Sequence, residues 1–210
     1  MDANRLAPLS GVAATVLLVA SQAAAGTTPA ADAPVSEVVS YYSDHDTGQI
    51  ASAVLLSLAA LLLLVFAATL ATILRRNATV TGPVVLFLSG AIVLTVGLTI
   101  FAGLSLALGD LSGEVDESTL RGLHVLSQEL FFPVTVGVSA FMLGAGFASL
   151  RTGALPRWLG WAALVLGIVS AIPSHVLGGA LDHIGFAPFI GLSIWILVVG
   201  ALLAARGAEA

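Results

Sequence analysis

The sequence predicts an all-α fold, a polytopic membrane helix bundle with six transmembrane helices and both termini in the cytoplasm. Three observations lead to this prediction. Of the 210 residues, 58% are hydrophobic and 9% are charged, whereas soluble domains contain about 45–50% and about 25%. The apolar residues form six stretches that are each long enough to cross a bilayer. The basic residues concentrate on one side of these stretches.

The composition excludes several classes of protein. A mean hydropathy of +1.06 leaves too few polar side chains to cover a water-facing surface, which excludes a soluble enzyme and a disordered chain. The seven basic residues are all arginine and are outnumbered by 12 acidic residues, so a basic nucleic-acid-binding surface is excluded. Because the chain contains no cysteine, it cannot form disulfides, zinc–thiolate sites or iron–sulfur clusters.

A membrane-spanning helix needs about 20 mostly apolar residues, because the hydrocarbon is about 30 Å thick and a helix rises about 1.5 Å per residue. Six stretches within a single predicted transmembrane domain, residues 1–210, meet this requirement: 6–25, 50–74, 83–108, 130–150, 158–177 and 184–205. The polar segments 26–49 and 109–128 are predicted to be outer loops. The other connections are short, so consecutive helices should be antiparallel neighbours.

The distribution of arginines orients the bundle. Only Arg121 lies on one side of the six spans, and the remaining six lie on the other: Arg5, Arg75, Arg76, Arg151, Arg157 and Arg206. By the positive-inside rule the side with six arginines is cytoplasmic. This places both termini in the cytoplasm and predicts a multi-pass protein of the cytoplasmic membrane.

The first stretch has a second interpretation. Residues 1–25 are also typical of a secretory signal peptide, with Arg5 in the charged region, an apolar run over 11–20 and three alanines before Gly26. Cleavage there would leave five spans and an outer amino terminus. The length of the apolar run that starts at Leu6 favours a retained span.

The first outer loop contains a further pattern that predicts local structure. Val35, Val38, Val39 and Tyr42 recur at helical spacing, with Ser36 as a candidate N-cap. We therefore expect a short amphipathic helix that lies on the outer surface as a lid over the bundle.

Two prolines fall inside predicted spans. Pro133 lies one turn into the fourth span and cannot donate a hydrogen bond to the carbonyl of Glu129. Pro173 in the fifth span leaves the carbonyl of Val169 without a donor in the same way. Both interruptions are expected toward the outer leaflet, where water or neighbouring groups can satisfy the carbonyls.

All four histidines lie on the predicted outer side, and two or three of them are expected at about the depth of two carboxylates. The candidate ligands of a divalent metal at this boundary are Glu129, His175, Asp182 and His183, with His124 and His45 as additional candidates. Imidazole and carboxylate suit zinc or another first-row metal, and histidine can also relay protons. Their spacing matches no metal-binding motif, so simple solvation at the membrane interface is the other interpretation. No other cofactor is predicted.

The spans contain little that would drive transport. No Asp, Glu, Arg or His lies at the centre of a predicted span, which disfavours a pore or an ion-coupled pump. A small-solute transporter would need a polar cavity lined by hydroxyl groups at mid-depth. The available hydroxyls are Ser89, Thr95, Thr99, Ser139, Ser170 and Ser193.

Two segments of the chain are distinctive: residues 33–45 read APVSEVVSYYSDH, and residues 151–161 read RTGALPRWLGW. In these segments and in the order of its spans, the chain resembles a family of small bacterial, mainly actinobacterial, multi-pass membrane proteins known only as a domain of unknown function. The resemblance implies an inner-membrane protein of about six helices that keeps its first span. It implies no activity.

The sequence thus predicts a non-enzymatic helix bundle that acts as an accessory or partner subunit or binds a small lipophilic molecule. Its predicted partners are the lipid bilayer and either another membrane protein or a second copy of this chain, but no nucleic acid. The two alternatives are a metal-binding or proton-relay site at the outer boundary and a small-solute transporter. Convergent histidines would favour the first alternative, and a hydroxyl-lined cavity would favour the second.

Overall fold

The computed structural model describes residues 7–75, 80–111, 115–172 and 187–208. These residues form eight α-helices and contain no strand, which confirms the predicted all-α fold. The helices are α1 (Leu9–Ala25), α2 (Val35–Asp44), α3 (Asp46–Leu74), α4 (Thr81–Leu111), α5 (Glu117–Glu129), α6 (Phe131–Thr152), α7 (Arg157–Ser170) and α8 (Ala187–Ala208).

Within the described ranges, four helical segments are long and apolar enough to cross a membrane: α3, α4, the nearly continuous pair α5–α6, and α8. The helices α1 and α7 are also apolar but shorter, with 17 and 14 residues. The predicted spans 6–25 and 158–177 extend beyond them, partly into residues outside the described ranges. At the described end of α7, the N–H groups of Ala171 and Ile172 bond three residues back, which ends the regular α-helix.

The helices α4 and α6 run antiparallel with their backbones in contact. A β-carbon at Gly90 would lie 2.1 Å from the backbone nitrogen of Phe141, and one at Gly144 would lie 2.3 Å from that of Phe87. Only glycine permits this approach, and small residues at helix contacts are the usual means of association where lipid surrounds a bundle. The pair α4–α6 is therefore the centre of the bundle, with α3 packed beside α4 and α7 beside α6.

Aromatic side chains fill the middle of the bundle. Phe87 and Phe141 are fully buried with their ring centroids 4.5 Å apart. Trp195 of α8 meets Phe141 edge to face and donates its indole N–H to the carbonyl of Leu159 over 2.9 Å. This bond satisfies the one polar atom of a buried tryptophan and joins α8 to α7.

The helix ends that carry arginine meet at one end of the bundle. A β-carbon at Gly200 would lie 2.9 Å from the carbonyl oxygen of Pro8, so the start of α1 lies beside the second half of α8. Arg206 Nη1 donates to the carbonyl of Ala154 over 2.9 Å, which brings the end of α8 to the α6–α7 connection. We call this the arginine end, and we call the opposite end, where α2 and α5 lie, the capped end.

The capped end is more helical than the predicted outer loops 26–49 and 109–128 imply. The amphipathic helix predicted after Pro34 is present as α2, with Val38 and Tyr42 buried. Ser36 is not its N-cap, however, because α2 already begins at Val35 and Pro34 supplies the preceding residue with φ fixed at −55°. The segment 109–128 is also mostly helical, since α4 continues to Leu111 and α5 begins at Glu117.

The predicted interruption at Pro133 coincides with a break between two helices, whereas the prediction for Pro173 needs correction. Pro133 is the third residue of α6, because the chain turns at Leu130 between α5 and α6. Within a first helical turn the missing N–H of proline has no intrahelical acceptor to lose. Pro173 lies outside the described residues, but the carbonyl of Val169 is not free, since it accepts a hydrogen bond from the backbone N–H of Ile172 at 3.2 Å.

Candidate functional site

The six candidate metal ligands are distributed differently in the structure. Three of them, His175, Asp182 and His183, lie outside the described residues. Glu129 is the exposed last residue of α5, and His45 is exposed between α2 and α3. Within the ranges that the structure describes, no group of three or more His, Asp or Glu side chains is close enough to hold a metal ion.

His124, the remaining candidate, is completely buried on α5. Its Nδ1 lies 3.0 Å from the hydroxyl of Tyr42 on α2, and its Nε2 lies 3.3 Å from the carbonyl oxygen of Ala30. The hydroxyl of Ser127 donates to the carbonyl of His124 over 2.6 Å. Both ring nitrogens are thus engaged by groups of the chain itself, so the imidazole connects α5, α2 and the α1–α2 connection.

The partners of His124 determine its tautomer. A carbonyl oxygen can only accept, so Nε2 carries the proton and donates to Ala30, and Nδ1 accepts from the hydroxyl of Tyr42. Burial raises the pKa of Tyr42 well above its ordinary value, with the neighbouring Tyr41 contributing in the same direction. Tyr42 therefore keeps its proton and remains a donor to His124.

Tyr41 forms a second group of contacts on the adjacent side of α2. Its hydroxyl donates to the carbonyl of Ala25 at the end of α1 over 2.7 Å and accepts from the buried amide of Gln49 on α3 over 2.8 Å. The hydroxyl of Thr28 lies 3.3 Å away, and the ring of His45 stacks on that of Tyr41 with centroids 4.9 Å apart. Together the two tyrosines fasten α2 across the capped end.

A feature that could accept a ligand lies elsewhere, between α1 and α8. It is a cavity of about 600 Å³, which we call the α1–α8 cavity. The helices α3, α4 and α6 form its inner wall. Its described lining consists of Thr15, Leu18, Val19, Gln22, Leu56, Leu98, Phe101, Val134, Phe189, Ile190, Ser193, Ile194 and Leu197.

The α1–α8 cavity opens on the lateral surface of the bundle. Val19, Ile190 and Ile194 are each about 60% exposed, so they form the rim, whereas Leu56 and Leu98 are buried at the inner wall. A smaller space of about 20 Å³ shares Leu18 and Leu98 and continues toward the core. Along α8 the lining extends from Phe189 to Leu197, a rise of about 12 Å.

Most of the hydroxyls predicted to line a transport cavity have other roles. Ser139 donates to the carbonyl of Gly167 over 2.7 Å and so joins α6 to α7. Thr95, Thr99 and Ser170 bond to carbonyls of their own helices. Ser89 is exposed. Of the six candidates only Ser193 lines the α1–α8 cavity.

The sequence analysis did not identify this cavity. Its wall combines side chains from five helices, and neither Thr15 nor Gln22 was a candidate residue. Gln22 was a local signal, an amide near the end of α1, whose other polar residues are Ser10, Thr15 and Ser21. Helix periodicity cannot show that α1 and α8 stand apart over part of their length.

Comparison with known proteins adds no further constraint: no family model matches the chain, and neither a curated protein nor a solved structure shows significant similarity. The α1–α8 cavity and the fastened helices of the capped end are therefore the features from which a function can be proposed.

Proposed function

We propose that this chain is a multi-pass protein of a bacterial cytoplasmic membrane that binds a small lipophilic molecule in the α1–α8 cavity. The observation that carries the proposal is the cavity itself. Its volume of about 600 Å³ falls within the range of about 300–1,000 Å³ that is common for small-molecule sites.

The position of the opening supports a ligand that arrives through lipid. The rim residues Val19, Ile190 and Ile194 belong to an exposed apolar surface that continues along other helices, with Val96 and Trp161 at least half exposed. Such a surface suits hydrocarbon and is rarely presented to water. A molecule dissolved in the bilayer could therefore enter between α1 and α8 without crossing an aqueous layer.

The proposed topology has six crossings, with the arginine end in the cytoplasm. It is supported by the antiparallel order of the helices and by the position of Arg75, Arg151, Arg157 and Arg206 at that end. In this topology the shorter helices α1 and α7 also cross. We include α1 as a retained helix because it packs along α3 and α8 and forms one wall of the cavity.

Ligand binding of this kind agrees with a non-enzymatic role. The chain would act alone, with a second copy of itself, or as an accessory subunit of another membrane protein. Membership of the uncharacterised bacterial family remains a prediction from the two segments that resemble it. The metal or proton-relay alternative also remains a prediction. Its described members give it no support: Glu129 is exposed, and both nitrogens of His124 are already hydrogen-bonded.

A matched pair of variants on α1 tests the proposal. Val19 and Val16 are 58% and 57% exposed, but only Val19 lines the cavity. We expect Val19→Trp to block the opening and Val16→Trp to leave it unchanged. The measurement is the amount of each lipophilic compound that co-purifies in mild detergent, quantified by mass spectrometry after solvent extraction.

The expected result is a compound retained by the native chain and by Val16→Trp near one molecule per chain, and depleted at least fivefold in Val19→Trp. Equal retention in all three proteins, or a profile that matches the bulk membrane lipids in all three, would contradict the proposal.

A further inference from the structure

The polar atoms of the α1–α8 cavity are few and differ in their availability. Three of its described lining residues are polar: Thr15, Gln22 and Ser193. The hydroxyl of Thr15 is already used, since it donates to the carbonyl of Gly11 over 3.0 Å. The side chains of Gln22 and Ser193 make no hydrogen bond to any residue in the described part of the chain. The cavity thus offers one amide and one hydroxyl to a ligand.

These two groups lie toward the same end of the cavity. A β-carbon at Gly200 would lie within 3.4 Å of atoms of Pro8 and Val12. This close approach defines the antiparallel register of α1 and α8. In this register Ser193 lies opposite residues 15–19, and Gln22 lies opposite the beginning of α8. Gln22 is therefore near the mouth on the capped side, with Ser193 about one turn deeper. Beyond Ser193, toward Leu197, the described lining is apolar apart from Thr15.

The cavity is also uncharged over its described lining, which contains no Asp, Glu, Arg or His. His45 lies one turn beyond Gln22, against Gly26, but its ring is stacked on Tyr41 and it does not line the cavity. An anionic head group that bonded to Gln22 and Ser193 would find no cation among the described lining residues to pair with. A neutral head group that forms hydrogen bonds needs no such partner.

We infer that the ligand is a neutral, single-chain lipophile with an ester, hydroxyl or carbonyl head. The head bonds to Gln22 and Ser193, and the chain extends along the apolar wall toward Leu197. This inference rests on the proposed function and specifies its ligand. The described lining offers a phosphate no cation, which disfavours phosphate-bearing lipids, and the amide and hydroxyl favour a polar head over a plain hydrocarbon.

Three probes of equal chain length test the inference on the purified full-length chain: a monoacylglycerol, the corresponding lysophosphatidic acid and the corresponding alkane. Each competes against one fluorescent monoacylglycerol in a neutral detergent. We expect the monoacylglycerol to bind more tightly than either of the others. Because a neutral hydrogen bond contributes modestly, Gln22→Leu and Ser193→Ala should each weaken monoacylglycerol binding about three- to tenfold and leave alkane binding within about twofold.

A gain-of-function variant is included because misfolding can abolish probe binding but cannot create a new preference. Gln22→Arg places a cation at the mouth, so it should reverse the preference between monoacylglycerol and lysophosphatidic acid. Each variant is accepted only if its thermal unfolding midpoint stays within a few degrees of that of the native chain.

The outcomes separate this inference from the proposed function. If monoacylglycerol and alkane bind equally well and neither Gln22→Leu nor Ser193→Ala matters, while Val19→Trp abolishes both, the cavity binds lipophiles but the head-group inference is wrong. Tighter binding of lysophosphatidic acid to the native chain would also overturn it. If Val19→Trp and Val16→Trp bind all three probes as the native chain does, the cavity is not a binding site and both proposals fail.

Discussion

Tyr42 and His124 show how a buried polar pair can hold a helix that does not cross the membrane. The two side chains are 82 positions apart in sequence, and Tyr42 is 2% exposed. Both side chains are buried away from water, so removing one leaves the other with an unsatisfied polar group. This lowers stability more than the loss of the net contribution of the hydrogen bond would.

The first prediction concerns this pair. Tyr42→Phe should lower the free energy of unfolding by about 1–3 kcal/mol, because Nδ1 of His124 would lose its only donor in the described structure. Unfolding in detergent, followed by circular dichroism, measures the change. Ser40→Ala is the control, since the hydroxyl of Ser40 donates to Asp44 on the exposed side of α2. Loss of that hydroxyl should change the free energy of unfolding by less than about 0.5 kcal/mol. Equal stability of Tyr42→Phe and the native chain would show that the pair contributes nothing.

The second prediction concerns pH. Asp116 caps α5 by accepting hydrogen bonds from Ser118 and Thr119, which lower its pKa from 3.8 to about 2. A lowered pKa in the folded state means that the ionised carboxylate stabilises α5 above about pH 4 and that this contribution is lost as the pH falls toward 2. The difference in melting temperature between the native chain and Asp116→Asn should therefore shrink over that interval.

Glu117→Gln is the control for the pH experiment, because it removes a neighbouring carboxylate but leaves the N-cap acceptor in place. If its melting temperature relative to the native chain changes with pH as much as that of Asp116→Asn, general charge repulsion accounts for the effect and the cap does not.

At the scale of single residues, the sequence could predict which residue types lie at the capped end but not their partners. The helical spacing around Tyr42 predicted an amphipathic helix, which is present as α2 with Tyr42 buried. His124, in contrast, was a candidate metal ligand, because nothing in its neighbourhood indicates a tyrosine 82 positions away. Long-range pairing depends on the packing of α2 against α5, which one sequence does not encode in any local pattern.

At the scale of elements, the contact between α4 and α6 is the most demanding one in the bundle. Three glycines allow it, since β-carbons at Gly90, Gly137 and Gly144 would lie within 2.6 Å of backbone atoms of the opposite helix. A backbone atom cannot rotate away as a flexible side chain can, so the helices would have to separate to admit a methyl group.

The third prediction follows from this contact. Gly90→Ala should lower the free energy of unfolding by about 1–3 kcal/mol, in the range of overpacked cores. Gly103→Ala on the same helix is a matched control, because no described atom lies within 4 Å of its added β-carbon. That control should leave stability unchanged or raise it by about 0.5–1 kcal/mol through higher helix propensity. A Gly90→Ala protein as stable as the control would mean that α4 and α6 are farther apart than described.

Helix boundaries were predictable where they depend on apolar length and less so where they depend on capping. The predicted spans 50–74 and 83–108 lie within the helices α3 and α4, because long apolar stretches favour long helices. The start of α2 was misplaced by assigning the cap to Ser36, although the preceding Pro34 can begin a helix by fixing φ. The helix α5 was missed as an element because its sequence is polar on the side opposite Leu120 and His124.

At the scale of the whole molecule, charge asymmetry and the arrangement of the helices agree. The connection between α6 and α7 and the last turn of α8 meet through Arg206 and Ala154, so arginines from separate parts of the sequence share one end. In the topology proposed above, the positive-inside rule places this end in the cytoplasm.

The fourth prediction tests that orientation. The chain contains no cysteine, so single cysteines can be introduced without background. In intact cells, a membrane-impermeant maleimide should label Ser43→Cys at the capped end and should not label Ala154→Cys until the membrane is permeabilised. The reverse pattern would invert the proposed topology, and labelling of both residues in intact cells would contradict a membrane-spanning arrangement.

The fold class was the property most fully predicted from the sequence. Composition and the lengths of the apolar stretches are properties of the whole chain, and they can be evaluated without knowing which residues are in contact. The α1–α8 cavity was the property that the sequence revealed least. A cavity is a mismatch in packing among five helices, and the same side chains in slightly different register would close it. Thr15, Gln22 and Ser193 become meaningful only after the helices have been placed beside one another.

The central claim, that the α1–α8 cavity is a lipophile-binding site, is tested most directly by photocrosslinking in lipid nanodiscs. The probe is a monoacylglycerol that carries a diazirine in its chain, and peptide mass spectrometry locates the adducts. We expect adducts in residues 15–22 and 189–197 that an excess of unlabelled monoacylglycerol removes. Adducts spread equally over the exposed face of α7, including Trp161 and Val165, and resistant to competition would show that the probe contacts the protein only as bulk lipid.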